Sequence, residues 1–162
     1  MVKNSLNPVT EQMALIDPET HPIFKRLFGE AGFAKVDEST IDAFLEIHGL
    51  KMAIFADDPN ERKTTLDIGV IAPEIKKAFA NAFSQCVCAD FTQARSLAAR
   101  WGLRSMPAVA IFRDGDFLGA VQGLKPWDEY ISLITAIAAS KKAAPRTIAI
   151  LSSSDAGNAG CE

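Results

Sequence analysis

A proline stands at the mouth of a hairpin in this sequence. Residues 104–123 run Arg104-Ser105-Met106-Pro107-Ala108-Val109-Ala110-Ile111-Phe112, then Arg113-Asp114-Gly115-Asp116, then Phe117-Leu118-Gly119-Ala120-Val121-Gln122-Gly123. β-Branched and aromatic residues on both sides of a tight Asp-Gly turn predict two antiparallel strands, with Gly115 taking positive φ. Pro107 opens the first strand. Lacking an N–H, it donates nothing to a ladder and belongs at a strand end, in a tight turn of the kind where cis X-Pro bonds occur.

Other runs supply partners for that hairpin. Residues 50–56 (LKMAIFA) and 85–89 (QCVCA) are apolar enough to be strands buried on both faces, the first of them central. A brief strand is expected at 33–36. Between these lie helical patterns. Thr20 is placed to cap a short helix with Pro22 in its first turn and Phe24, Leu27 and Phe28 on one face. Ser39-Thr40-Ile41-Asp42 has the form of an N-terminal cap, with Ile41, Phe44, Leu45 and His48 at helical spacing. Pro73 and Glu74 suit the first turn of a helix burying Ile75, Ala78, Phe79 and Ala82. Asp90 and Gln93 resemble a capping pair for a helix with Ala94, Leu97, Ala98 and Trp101, ended by Gly102. Pro126 opens a last helix with a core face of Trp127, Tyr130, Ile131, Ile134, Ile137 and Ala138.

The order strand, helix, strand, helix, strand, helix, hairpin, helix predicts an α/β domain of the thioredoxin-like class: a central mixed sheet of four to five strands flanked by helices, with a proline loop before the hairpin. At 162 residues there is room for one such domain. Residues 20–139 are assigned to it, 1–19 to a flexible arm, and 140–162, rich in Lys, Ala, Ser and Gly, to a disordered tail.

Charge and cysteine usage narrow the function. A net charge of -3 and the absence of a basic stripe argue against nucleic acid. Residues 1–49 carry 8 acidic against 4 basic residues, so the first third is the acidic part. No apolar run has signal-peptide length or approaches the ~20 residues of a membrane span, which places the expected location in the cytoplasm. His21 and His48 are isolated and no ligand pair has zinc spacing; neither a metal nor a cofactor is expected.

A thioredoxin oxidoreductase carries Cys-x-x-Cys where the central strand runs into its helix, because the helix N-terminus lowers the thiol pKa. Here that place holds Asp57-Asp58-Pro59-Asn60-Glu61, and no cysteine precedes residue 86. Cys86 and Cys88, two apart on one strand, point the same way with Cβ atoms roughly 6.5 Å apart, against the ~4 Å of a disulfide. They read as small core residues, and Cys161 as an incidental thiol.

The segment Trp101-Gly102-Leu103-Arg104-Ser105-Met106-Pro107, followed by a strand and Asp114-Gly115, resembles the cis-proline region of thioredoxins. The resemblance implies a cis Met106-Pro107 bond. Within that group, several pieces together are similar to the HyaE/HupG family of hydrogenase expression proteins. They are Thr20-His21-Pro22-Ile23-Phe24 with Leu27, the cysteine-free loop after LKMAIFA, Ser105-Met106-Pro107-Ala108, Gly119-Ala120 and Gly123-Leu124-Lys125-Pro126-Trp127.

That resemblance implies a non-enzymatic cytoplasmic chaperone for an uptake nickel-iron hydrogenase. Its partner would be the small-subunit precursor with its twin-arginine signal peptide, together with other maturation proteins. Since thioredoxin folds bind extended peptides beside the cis-proline, Ser105, Met106 and Pro107 are expected to pair with the guest backbone, and Asp57, Asp58 and Glu61 to attract its arginines. The alternatives are a thiol oxidoreductase using Cys86, Cys88 or Cys161, and a scaffold between maturation factors.

Overall fold

A computed structural model describes residues 15–80 and 82–140 of the chain. The strands are β1 (Ala34–Val36), β2 (Leu50–Phe55), β3 (Gln85–Ala89), β4 (Ala108–Arg113) and β5 (Asp116–Gln122). The helices are α1 (Pro22–Phe28), α2 (Ile41–Leu45), α3 (Thr64–Ala78), α4 (Ala94–Ala98), which continues as a 3-10 turn Ala99–Trp101, and α5 (Trp127–Ala138).

The five strands form one mixed sheet in the order β1-β3-β2-β4-β5, with β2 in the middle as its apolar sequence requires. β1, β3 and β2 run parallel, while β2–β4 and β4–β5 are antiparallel. Period-two alternation sends the strand residues to two cores. Met52, Ile54, Cys86, Cys88, Val109 and Ile111 join one with Phe24, Leu27, Ile68, Ile75, Tyr130 and Ile134, so α1, α3 and α5 cover that face. Ala53, Phe55, Val87, Ala110 and Phe112 join the other with Ile41, Phe44 and Leu97, from α2 and α4. This three-layer arrangement is thioredoxin-like. The Met106-Pro107 peptide is cis.

Local chemistry departs from the sequence reading at several points. α1 is capped by His21, whose Nδ1 accepts from the Ile23 N–H at 3.2 Å, and Thr20 has no part in it. Ahead of α2 no side chain caps the helix; Asp37 instead closes the preceding turn, its Oδ1 accepting from Ser39 N, Ser39 Oγ and Thr40 N, and these bonds, the Ser39 hydroxyl first, lower its pKa against an opposing desolvation. Before α4, Asp90 takes the Thr92 N–H and hydroxyl, whereas the Gln93 side chain accepts from Glu38 N. At the hairpin turn the left-handed residue is Asp114, at φ 56°, in place of Gly115.

The largest correction concerns α3. It begins at Thr64, nine residues before Pro73, and that proline lies inside it and is buried. β-Branched residues and Gly69 make residues 64–72 a poor helix by propensity, but Ile68, Ala72 and Ile75 fall at i, i+4, i+7 and all reach the core. Packing outweighs propensity. Phe79 is the C-terminal cap and Ala80 turns left-handed at φ 50°, so the helix stops before Ala82.

Lys51, within the apolar β2 run, is 0 % exposed. Its Nζ donates to the carbonyls of Phe44 at 3.0 Å and Leu45 at 2.7 Å, closing the C-terminus of α2, and sits 5.0 Å from the Phe44 ring centre. Burial pushes the Lys51 pKa down, with attraction to Asp114 opposing. At the end of α5, Arg113 does a similar job from β4, donating to the carbonyls of Ala138 and Ser140, both at 2.7 Å.

Of the expected N-terminal arm, residues 15–19 are described. Asn60 holds Ile16 there by its backbone, Oδ1 accepting from Ile16 N at 2.6 Å and Nδ2 donating to Ile16 O at 2.9 Å. The tail after Ser140, with Cys161, lies outside the described residues.

Candidate functional site

The parallel strands β1, β3 and β2 end, and β4 begins, at the same edge of the sheet. This brings the loop after β2 next to the cis-proline loop. A direct connection exists: Arg95 of α4 donates from Nε to Asp57 Oδ1 at 2.8 Å and from Nη2 to Asp57 Oδ2 at 2.9 Å, while its Nη1 reaches the Arg104 carbonyl at 3.2 Å. Asp57 is only 7 % exposed, its carbonyl accepts from the buried Thr65 hydroxyl, and Arg62 approaches to 3.9 Å. Its carboxylate is therefore engaged within the fold, with a second guanidinium close by.

Asp58 and Glu61 stand differently. Asp58 Oδ1 accepts from Asn60 N at 2.8 Å and Asn60 Nδ2 at 3.0 Å, Oδ2 takes no hydrogen bond from the described residues, and Glu61 is exposed. Asp58 also lines a cleft of about 220 Å³ with Asp17, Glu19, Asp90, Lys35 and Phe91 among its walls. Asp17 and Asp90 spend Oδ1 on their own turns in the same way, on Glu19 N and on Thr92. Four carboxylates face one ammonium, so the cleft is acidic.

In the cis-proline loop, Gln122 of β5 accepts at Oε1 from both Arg104 N (2.8 Å) and Ser105 N (3.0 Å). The Pro107 carbonyl accepts from Gly123 N at 2.8 Å. Met106 lies between these anchors, half-buried against the α2/α4 core, and no described hydrogen bond reaches its N–H or C=O. A backbone donor and acceptor held side by side at the surface without partners are what an incoming extended chain needs to add as a strand.

The cysteines belong to another part of the molecule. Cys86 and Cys88 are both reduced and buried in the α1/α3/α5 core. Burial raises the Cys86 thiol to about 11, with Lys76 opposing, and the Cys88 thiol to about 12, with Lys35 opposing and Asp90 reinforcing. Neither is poised as a thiolate nucleophile. Among the described residues no group of three His, Cys, Asp or Glu side chains is placed to hold a metal ion.

The structure thus brings together Asp57, Asp58, Ser105, Met106 and Pro107 at one end of the sheet. It separates the half-buried Asp58, bonded only within its own turn among the described residues, from Asp57, which is paired with Arg95. Arg95 and Gln122, which order the loop, carry no local motif, and each acts on residues far away in the chain.

Comparison with known proteins places these features in a family. The family model described as hydrogenase-1 expression protein HyaE matches residues 23–130. The chain is 32 % identical to the hydrogenase expression/formation protein HupG of Rhodobacter capsulatus over 124 residues, 76 % of this chain and 89 % of that protein. It is 29 % identical to the hydrogenase expression/formation protein HoxO of Cupriavidus necator over 86 % of this chain and 88 % of that protein. With HoxO of Azotobacter vinelandii the identity is 30 % over 82 % of this chain and 88 % of that protein. The matched span runs from α1 to Tyr130 of α5 and so takes in every strand and the whole cis-proline loop, and the chain belongs to the HyaE family of hydrogenase expression proteins.

Proposed function

We propose that this chain acts in hydrogenase formation as a non-enzymatic chaperone, holding the small-subunit precursor of a nickel-iron hydrogenase by its twin-arginine signal peptide in the cytoplasm before export. The observation that carries this reading is the unpartnered main chain of Met106 beside cis-Pro107. Strand addition there gives affinity for an extended segment without reading its sequence, and the charged groups alongside supply selectivity.

The arginine pair is assigned to the Asp58 cleft in preference to Asp57. A guest guanidinium at Asp57 would have to displace Arg95 from a two-point contact and approach Arg62. At Asp58, Asp17 and Asp90 one carboxylate oxygen each takes no hydrogen bond from the described residues. Names of the relatives as expression and formation proteins agree with a maturation role, as does the burial of both described thiols.

The test is titration of the purified chain with a fluorescently labelled small-subunit signal peptide, and with the same peptide carrying glutamine in place of both arginines. Saturable binding of the first, weakened at least severalfold for the second, is expected. Equal affinity for both peptides removes the arginines from the recognition, and no binding of either overturns the chaperone reading.

A further inference from the structure

On either side of Met106 the main chain is already engaged. In an extended strand alternate residues turn their N–H and C=O to the same side, so the residue that would prolong pairing beyond Met106 is Arg104. Both of its main-chain groups are taken by side chains from elsewhere in the fold: Gln122 Oε1 accepts its N–H at 2.8 Å, and Arg95 Nη1 donates to its C=O at 3.2 Å. The same Gln122 oxygen accepts the Ser105 N–H at 3.0 Å. After Met106 comes Pro107, which has no N–H and whose carbonyl accepts from Gly123 N. Ala108 then pairs on both sides, with Phe55 of β2 and Gln122 of β5.

We propose that Gln122 is a positioning residue that confines strand addition to Met106, so that an extended guest is held by the main chain of one residue and in one register. This rests on the chaperone reading and adds to it the residue that limits the contact. Gln122 suits the task because its backbone is fixed at the end of β5 by pairing with Ala108, and its one amide oxygen has two lone pairs for two successive N–H groups. Without that oxygen, Arg104 and Ser105 would each present an unpartnered donor beside Met106. A guest could then pair along a longer stretch or settle in more than one register. Two hydrogen bonds to one residue hold any sequence modestly, which leaves selection to the guest's side chains.

The experiment uses the full chain and the labelled small-subunit signal peptide, with one backbone N-methyl group moved along it residue by residue. Against wild type a single position, the one whose N–H meets the Met106 carbonyl, is expected to weaken binding at least about tenfold, and the others less than about threefold. Sensitivity at two positions two residues apart, or at none, overturns the proposal. Amide hydrogen exchange then tests the part played by Gln122. In wild type and in Gln122→Glu, which keeps the oxygen, the Arg104 N–H should be protected with or without the unmodified peptide. In Gln122→Met it should exchange freely until the peptide is added and become protected once the guest takes it up. Gln122→Asn, whose oxygen stops one methylene short, gives the same comparison if Gln122→Met lacks a cooperative far-UV melt. An Arg104 N–H that exchanges equally fast in the variant with and without peptide, while wild type binds, overturns the proposal and leaves the chaperone reading standing. Failure of wild type to bind the unmodified peptide overturns both.

Discussion

Asp57 and Arg95, 38 residues apart in the chain, hold each other through two parallel hydrogen bonds of 2.8 and 2.9 Å, and the same guanidinium reaches the Arg104 carbonyl. One side chain thus ties the loop after β2 to the loop before cis-Pro107. In place of a redox-active cysteine pair, this end of the sheet holds an ion pair that joins the two loops.

Arg95→Leu should cost about 1–3 kcal/mol, since it leaves a nearly buried carboxylate with only Arg62 at 3.9 Å; the 54 % exposure of the Arg95 side chain keeps the loss at the lower end. Arg95→Lys should recover little of it, because an ammonium does not span both carboxylate oxygens. Urea unfolding measures both. A midpoint for Arg95→Leu equal to wild type would mean that water replaces the guanidinium without loss.

How much of this was legible in the sequence depends on where each residue's partner lies. β2, β3 and β4 could be read because strands buried on both faces are largely apolar, and β5 because it follows β4 across an Asp-Gly turn. The full extent of α3 was hidden, because its first nine residues are poor helix formers and Pro73 looks like a start. Asp57, in a run of polar residues, looked solvated; its partner is 38 residues away and nothing local announces it. Trp127 looked like core because it shares helical spacing with Tyr130 and Ile134, yet it sits at the first residue of α5, beyond the edge of the sheet. Candidate sites were thus legible as neighbourhoods, while the identity of the open carboxylates required the fold.

Gly69→Ala is expected to destabilise by about 1–3 kcal/mol although alanine is the better helix former. A Cβ at Gly69 would come within 2.6 Å of Ile23 Cγ2 and 3.2 Å of Phe24 Cε1, so α1 would have to move off α3. Thermal unfolding decides between the two effects. A raised Tm would show that α1 gives way easily and that propensity wins.

Lys51 makes a pH prediction whose sign is fixed by its burial. Its pKa in the folded chain is below the ordinary 10.5, so protons are bound more tightly by the unfolded chain across that interval. Its contribution to stability therefore increases as pH rises from the lowered value towards 10.5. The comparison of wild type with Lys51→Met isolates this group, because Tyr130 and the cysteines titrate in both. Wild type should gain on the variant between neutral pH and pH 10.5. A gap between their urea midpoints that stays constant over that range would show that Lys51 titrates in the folded chain as it does unfolded.

Thiol chemistry offers a direct check on the buried cysteines. In a Cys161→Ser background, Ellman's reagent should label no thiol while the chain is native and two when it is denatured, since Cys86 and Cys88 are buried and their pKa values are raised to about 11 and about 12. Insulin reduction driven by dithiothreitol should not exceed the dithiothreitol blank. Rapid native labelling, or turnover above the blank, would bring back the oxidoreductase reading.

The Asp58 cleft predicts how peptide binding responds to salt. Partly exposed ion pairs are worth only ~0.2–1 kcal/mol each, so an Asp58→Asn, Asp90→Asn double variant should weaken the signal peptide about tenfold at most. Its clearer mark should be a shallower dependence of affinity on ionic strength, because open charges at the rim steer encounter and are screened by salt. Asp57→Asn should act otherwise. Its carboxylate is shielded and already shared with Arg95, so the substitution should lower stability and leave the salt slope unchanged. Titrating both variants at low and moderate salt, alongside their urea midpoints, separates a charge that meets the guest from one that holds the loop. A salt slope that falls with Asp57→Asn and persists in the double variant would move the arginine site from the cleft to the Asp57 pair.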